Sequence, residues 1–94
     1  MDVSRADVYA ALDSEREYQK RRAEEASGPG SGEHRHSVEE FVIYIEDYVD
    51  ELRHHLSRTW TANGQADLAS LDILRKVTAL GVACMEQHGA PCRQ

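Results

Sequence analysis

Apolar residues recur at helical spacing in the middle of the chain, where they predict a long amphipathic helix. Ser37 with Glu40 three residues later forms a capping box, which is a typical start of a helix. The apolar residues that follow lie three or four positions apart and therefore share one face. They are Val38, Phe41, Ile45, Tyr48, Leu52, Leu56 and Trp60. We predict a helix over residues 37–60 whose apolar stripe belongs to the core.

The N-terminal part of the chain predicts another helix, over residues 4–25. Ser4 and Asp7 have the spacing of a capping box. The apolar stripe of this helix is thin and consists of Val8, Ala11, Leu12 and Tyr18. The stretch "EREYQKRRAEE" that ends the helix is almost wholly charged, so this end is either solvated or directed at a ligand. Residues 26–33 then collect glycine, proline and serine, which predicts a flexible linker.

The C-terminal part predicts a third helix, over residues 66–88. Gly89 follows it directly and Pro91 lies just beyond, which is the usual end of a helix. Asn63-Gly64 in the segment "TANGQ" predicts a short turn before the third helix. The predicted fold is therefore all-α: an antiparallel hairpin of the second and third helices, with the N-terminal helix packed beside it.

The segment "VTALGVACM" of the third helix is apolar on nearly every side. A helix of this kind needs more cover than one partner helix provides. A chain of 94 residues also buries only about 60–65% of its unfolded surface, so its core is small. Ala79, Gly81 and Ala83 are small enough to let another helix approach closely. We expect a helical-bundle homo-oligomer that assembles through the third helix.

Composition and charge narrow the classes of function. The chain has a formal net charge of −6, which argues against a partner that is a nucleic acid polymer or an anionic membrane, because both require a basic surface. No apolar run reaches the roughly 18 residues of a membrane span, and "MDVSRADVYA" lacks the pattern of a signal peptide. Cys84 and Cys92 match no zinc or redox spacing, and we interpret both as thiols. These features favour one cytoplasmic domain over residues 1–94.

Four carboxylates fall within the eight residues "IEDYVDEL" of the second predicted helix. At 100° per residue, Glu46 and Asp50 share one flank of the apolar stripe, and we expect Asp47 and Glu51 to point further round towards solvent. Like charges four residues apart repel one another, so Glu46 and Asp50 require solvent or a cation. One interpretation is a solvated flank that Arg53 balances. The other is a Mg²⁺ site, because Mg²⁺ prefers carboxylate oxygens and keeps several waters.

The acidic pattern resembles that of the all-α nucleoside triphosphate pyrophosphatases, the MazG-like superfamily, in which E-E-x-x-E on one helix is followed by E-x-x-D on the next. "EDYVD", with Glu46, Asp47 and Asp50, is similar to the first half of the motif. The second half departs from it, because Ala69 stands three residues before Asp72 where the family has a glutamate. A wider pattern, "EREYQ", "HSVEEF" and "LRKVTALGVACMEQHGAP", also resembles small phage and bacterial proteins associated with this superfamily.

This resemblance implies hydrolysis of a nucleoside triphosphate between its α and β phosphates. Glu46 and Asp50 would be the catalytic carboxylates and would hold Mg²⁺ together with Asp72. The implied phosphate-binding cations are Arg53, Arg75 and Lys76. Trp60 or Tyr18 could stack on the base, although Trp60 also suits a place in the core of the hairpin. His36, beside the helix start, is a further candidate for contact with the phosphates.

Two other classes of function remain open. The cationic segment "QKRRAEE", with Arg21 and Arg22, could form an anion pocket without chemistry, as in a phage protein that sequesters a cyclic nucleotide signal of its host. The chain could also be a structural helical oligomer, for which the apolar third helix is sufficient. A nucleotide complex that requires a metal is sensitive to chelators, whereas a metal-free complex is not, and a structural oligomer binds no nucleotide. The three classes are therefore separable by experiment.

Overall fold

A computed structural model of the chain describes residues 2–28, 32–59 and 67–94, which form three helices and no strand. The helices are α1 (Arg5–Ser27), α2 (Val38–Thr59) and α3 (Leu68–His88). The prediction of an all-α chain is confirmed, and each end of a helix falls within two residues of its predicted position. Trp60 and the predicted turn "TANGQ" lie outside the described residues.

Local hydrogen bonds explain where the helices begin. The backbone N–H of Asp7 donates to Ser4 Oγ at 3.1 Å. At α2 the capping box is complete, since the N–H of Glu40 donates to Ser37 Oγ and the N–H of Ser37 donates to Glu40 Oε1. The hydrogen bond from the Ser37 N–H to the Glu40 carboxylate, with help from His36, lowers the pKa of Glu40. Asp67 caps α3 by accepting from the N–H of Ser70 at 2.7 Å.

Glycines with positive φ end two of the helices. Gly28 follows α1 with φ of 99°, and its N–H donates to the carbonyl of Glu24. Gly89 follows α3 with φ of 120°, and its N–H donates to the carbonyl of Met85. A side chain at either position would strain the backbone, so both glycines act as helix stops.

The helix α3 is the centre of the fold, because α1 and α2 both pack against it. Over the described ranges, no Cα atom of α1 comes within 8 Å of a Cα atom of α2. The N–H of His36, before α2, donates to Gln87 Oε1 near the end of α3. At the other end, His55 Nε2 of α2 lies 3.1 Å from Asp67 Oδ2 at the start of α3. Since α1 and α2 contact α3 separately, a groove remains between them.

The apolar core of the described chain is small. Its buried members are Phe41, Ile73, Ala79 and Ala83. The predicted stripe of α2 is only partly inside: Ile45, Tyr48 and Leu52 are half-buried, whereas Val38 and Leu56 are exposed. None of the helices described is long and apolar enough to cross a membrane.

Two details of the predicted packing were wrong. Ala79 and Ala83 are buried within the chain, so they are not available for the close approach of another copy. On α1 the thin apolar stripe is not the buried face, since Val8 and Tyr18 are exposed, whereas the charged residues Glu15 and Arg16 are buried. Part of the charged end of α1 is therefore buried, and only the rest of it is available to solvent or to a ligand.

Candidate functional site

The groove between α1 and α2 is the candidate site. It has a volume of about 740 Å³, and its floor is the face of α3 that carries Lys76, Leu80, Ala83 and Gln87. The α1 wall consists of Ser14, Glu15, Tyr18, Gln19, Arg22 and Ala23. The opposite side consists of Glu33, His34, His36, Phe41, Tyr44 and Tyr48, and Arg75 completes the lining. This mixture of cationic, aromatic and amide groups is suited to a small polar ligand with a flat ring.

Arg75 and Lys76 form a cationic region of the groove. Arg75 Nε donates to Glu15 Oε1 at 2.8 Å, and its guanidinium also donates to Asp72. Lys76 Nζ lies 3.7 Å from Asp72 Oδ2. The hydrogen bond from Arg75, opposed by partial burial and aided by Lys76, lowers the pKa of Asp72. The hydrogen bonds to Glu15 and Asp72 raise the pKa of Arg75. The Arg75 guanidinium is therefore charged at any physiological pH.

Arg16 makes the most buried ionic contacts of the described chain, and we call this group the Arg16 clasp: Arg16 with Glu33, Glu86 and Gln19. Arg16 Nη2 lies 2.5 Å from Glu33 Oε1, its Nε donates to Glu86 Oε1 at 2.6 Å, and its Nη1 donates to Gln19 Oε1 at 2.7 Å. Burial by itself would lower the pKa of Arg16, but the hydrogen bonds to Glu33 and Glu86 outweigh it and raise that pKa. The clasp fixes the α1 wall against α3 and leaves Arg16 no free donor face for a ligand.

Rings gather at the other end of the groove, around His36. The His36 ring lies 5.2 Å from the ring of Tyr44, 5.6 Å from Phe41 and 5.3 Å from His34, measured between centroids. Gln87 holds this region in place, because its side chain accepts from the N–H of His36 and donates to the carbonyl of His34. Lys76 and Gln87 lie 11 residues apart on α3, or about 16 Å at the rise of an α-helix. The cationic and the ring-rich regions are thus well separated.

Five of the predicted ligand-binding residues meet in this groove: Tyr18, Arg22, His36, Arg75 and Lys76. Arg21 is exposed and does not line it. Arg53 lies elsewhere, in a shallow depression that it shares with Asp50, His54 and Ser57. Trp60 lies outside the described residues.

The predicted metal ligands are not brought together within one chain. Relative to the buried Phe41, Glu46 and Asp50 lie roughly 140° and 180° round α2, on the side away from α3. Asp72 is paired with Arg75 and Lys76. No three His, Cys, Asp or Glu side chains of the described ranges are placed to hold a metal ion. Glu46, Asp50 and Asp72 therefore do not converge within one chain. A Mg²⁺ ion held by these three carboxylates stays a prediction.

Asp47 and Glu51, which we expected to point towards solvent, lie closer to the groove. Together with Tyr44, Tyr48 and Leu80 they line a depression that adjoins it. The tyrosines and Leu80 belong to both cavities. The carboxylates of "IEDYVDEL" that lie nearest a possible ligand are thus Asp47 and Glu51.

Sequence reasoning missed Arg16 and the acidic and amide residues that organise the groove with it. They are Glu15, Arg16, Gln19, Glu33, Glu86 and Gln87. One signal was available: Leu12, Arg16, Gln19 and Ala23 recur at spacings of four, three and four, so polar residues occupy what would be the inward face of α1. The partners of Arg16 and Glu15 lie 70 and 60 residues away, at Glu86 and Arg75, and no local pattern indicates them.

Comparisons with family models, with curated proteins and with solved structures found no match to this chain. The chemistry of the groove is therefore the basis for any functional statement.

Proposed function

We propose that the chain binds a nucleotide, or another small phosphate-bearing ligand with an aromatic group, in the groove between α1 and α2. The observation that carries this proposal is the presence of cations and flat rings in one groove. Arg22, Arg75 and Lys76 offer charge-assisted hydrogen bonds to phosphate oxygens, and Tyr18 and Tyr44 offer faces on which a base can stack.

The cations of the groove have carboxylate partners, and a ligand must compete with them. Lys76 is 3.7 Å from Asp72, and Arg22 is 3.4 Å from the exposed Glu25. Pairs as exposed as these contribute little free energy, about 0–1 kcal/mol. A phosphate carries more negative charge than a carboxylate and accepts more hydrogen bonds, so it is able to replace Asp72 and Glu25. Arg75, held by Glu15 as well, would position the ligand with less movement.

A second candidate function is the Mg²⁺-dependent nucleoside triphosphate pyrophosphohydrolase that the MazG-like resemblance implies. The observation that favours it is the pair Asp47 and Glu51 in the depression next to the groove. Mg²⁺ is often bound by one or two carboxylates together with the phosphates of a substrate, so a complete cage of protein ligands is not required. In this function a metal would link carboxylates of α2 to a triphosphate that lies against Lys76.

We also propose that α2 and α3 form an antiparallel hairpin in a cytoplasmic homo-oligomer. The contacts of His36 with Gln87 and of His55 with Asp67 pair opposite ends of the two helices and support the hairpin. The exposure of large apolar residues such as Leu71, Leu74 and Met85 supports association with other copies.

Titration calorimetry with mono-, di-, tri- and cyclic nucleotides, each in Mg²⁺ and in EDTA, tests the binding proposal. Direct recognition predicts binding that persists in EDTA without release of pyrophosphate. Lys76→Gln and Arg22→Gln should each weaken that binding about tenfold, because each removes a charge-assisted hydrogen bond. Arg53→Gln is the matched control and should leave the affinity unchanged, since Arg53 lies outside the groove.

The same titration separates the other functions. Binding that disappears in EDTA, together with pyrophosphate release in Mg²⁺, would contradict direct recognition and support the hydrolase. If no nucleotide binds under either condition, both proposals fail and the structural oligomer remains.

A further inference from the structure

We propose that an apolar face on the side of α3 opposite the groove docks a second copy of this chain. This face, which we call the α3 face, consists of Leu71, Leu74, Gly81 and Met85 of α3 with Val38 and Val42 of α2. Its five large apolar residues are between 45% and 49% exposed. The proposal rests on the homo-oligomer proposed above and names its interface, but it is independent of any ligand in the groove.

Helical geometry places these residues on one continuous surface. At 100° per residue, Leu71, Leu74 and Met85 fall within about 60° of one another, roughly opposite Leu80 and Ala83 of the groove floor. On α2, Val38 and Val42 lie on the flank of Phe41 away from the two tyrosines that line the groove. The α3 face and the groove are therefore separate, and both can be used at once.

The exposed area of the chain is large enough to include an interface with a second copy. The accessible surface is 7497 Å², whereas a compact monomer of this mass exposes about 5,500 Å². The excess of about 2,000 Å² per chain includes the walls of the groove and still leaves room for the roughly 800 Å² that one partner contributes to a standard interface. The radius of gyration, 15.1 Å, also exceeds the roughly 12 Å of a compact domain of this length. One chain thus exposes more surface than a compact domain of its size.

The chemistry of the α3 face identifies a second copy as the occupant. Between Leu68 and Met85, the arc of α3 that carries Leu71, Leu74 and Gly81 holds only uncharged residues. A strongly charged partner would find no counter-charge there. A two-fold related copy would present the same uncharged surface and would bury it without leaving an unpaired charge.

Gly81 provides an independent observation for close approach. It lies in the middle of α3, where glycine is less favourable than alanine. A Cβ atom built on Gly81 meets nothing within 4 Å, so packing within the chain does not require glycine at this position. Close approach of a neighbouring helix would require it.

The test is the mass in solution of Leu74→Lys, with Ile43→Lys as the matched control. Ile43 is 57% exposed and lies on the far side of α2, so both variants add a lysine at an exposed apolar site. Light scattering at micromolar concentration should give a multiple of 10.6 kDa for the native chain and for Ile43→Lys, but a single chain for Leu74→Lys. A monomeric native chain, or an intact oligomer of Leu74→Lys, overturns the proposal.

Gly81→Leu tests the same face without adding a charge. The open space around Gly81 accepts the side chain in one copy, so circular dichroism should show an undiminished helix signal at concentrations where the native chain is also dissociated. The dissociation constant of the oligomer should rise at least tenfold. If Gly81→Leu associates as tightly as the native chain, no helix approaches Gly81 and the proposal fails.

Discussion

Asp72 has opposite expected effects in the two nucleotide-binding functions, because it is the carboxylate that Lys76 and Arg75 already hold. In direct recognition it competes with the ligand phosphate. Asp72→Asn should therefore raise nucleotide affinity about two- to fivefold, the range that corresponds to loss of a partly exposed ion pair. In a metal-dependent hydrolase the same substitution removes a predicted Mg²⁺ ligand and should lower both affinity and turnover.

Asp13→Asn is the control for this measurement, since it changes the net charge equally but Asp13 is exposed and lies outside the groove. Calorimetry on the two variants in Mg²⁺ and in EDTA distinguishes the functions. A loss of affinity in both variants would contradict direct recognition.

Asp67 at the start of α3 makes the stability of the chain sensitive to acid. The hydrogen bond from the N–H of Ser70, aided by His55, lowers the pKa of Asp67 to about 2 from 3.8. Since the pKa is lower in the folded state, the stabilisation is complete above about pH 4 and is lost as the pH falls towards 2. Asp67→Ala should lower the melting temperature at pH 7 and flatten its dependence on pH in this acid range.

Asp67→Asn is the matched variant, because asparagine caps helices well but does not titrate. Thermal denaturation monitored by circular dichroism should show a smaller loss at pH 7 for Asp67→Asn than for Asp67→Ala. Equal losses in the two variants would show that the charge, and not the cap, stabilises α3.

At the scale of the elements, α1 depends on the Arg16 clasp for its attachment. Arg16→Met should lower the free energy of unfolding by about 2 kcal/mol, less than the 3–5 kcal/mol of fully buried pairs, because Glu86 is 42% exposed and can rehydrate. Nucleotide affinity should fall as well, since Tyr18 and Arg22 lie on the α1 wall.

Lys20→Met is the control for Arg16→Met. Lys20 also pairs with Glu86, but at 3.7 Å and with its side chain 46% exposed, so its loss should have almost no effect in urea denaturation. If both variants are equally stable, the clasp does not hold α1.

The sequence predicted the existence and the ends of the helices because these depend on near neighbours. Ser37 and Glu40 indicate the start of α2, and Gly89 indicates the end of α3. The inward face of α1 could not be predicted in the same way. Arg16 and Glu15 are ordinary surface residue types, and their burial depends on partners in α3 that periodicity does not reveal.

The residues of the candidate site were also predicted only in part, because their grouping depends on long-range contacts. Arg75, Lys76 and Tyr18 were chosen as what the resemblance implies for the phosphates and the base, and His36 was chosen because it lies beside the start of α2. The carboxylates nearest the groove were not predicted. The resemblance selected Glu46 and Asp50, whereas the structure places Asp47 and Glu51 beside the groove. The position of α1 decides which flank of α2 faces the groove, and that position rests on the long-range pairs of Glu15 and Arg16.

At the scale of the whole molecule, a charge placed inside the chain should unfold it, whereas a charge placed on the α3 face should dissociate the oligomer. Ala79→Glu puts a carboxylate at a fully buried position of α3 outside the groove, with a cost of several kcal/mol that is comparable to the whole stability of a small domain. The chain should lose its helix signal in circular dichroism at 25 °C. Leu74→Lys should keep that signal at high concentration while losing the oligomer.

The contrast between these two variants is informative because both lie on α3. A folded Ala79→Glu chain would place Ala79 at the surface, contrary to the packing described. Loss of helix in Leu74→Lys at every concentration would show that the single chain does not fold alone and that folding and assembly are one event.

The clasp also has a consequence for the order of folding. The pair of Arg16 with Glu33 closes a loop of 17 residues, whereas the bonds of Arg16 to Glu86 and of Arg75 to Glu15 span 70 and 60 residues. Short loops close at a lower entropic cost, and the contact of His55 in α2 with Asp67 at the start of α3 spans only 12 residues, so docking of α1 onto α3 should come after α2 and α3 have paired. In stopped-flow experiments, Glu86→Gln should accelerate unfolding and leave the refolding rate nearly unchanged.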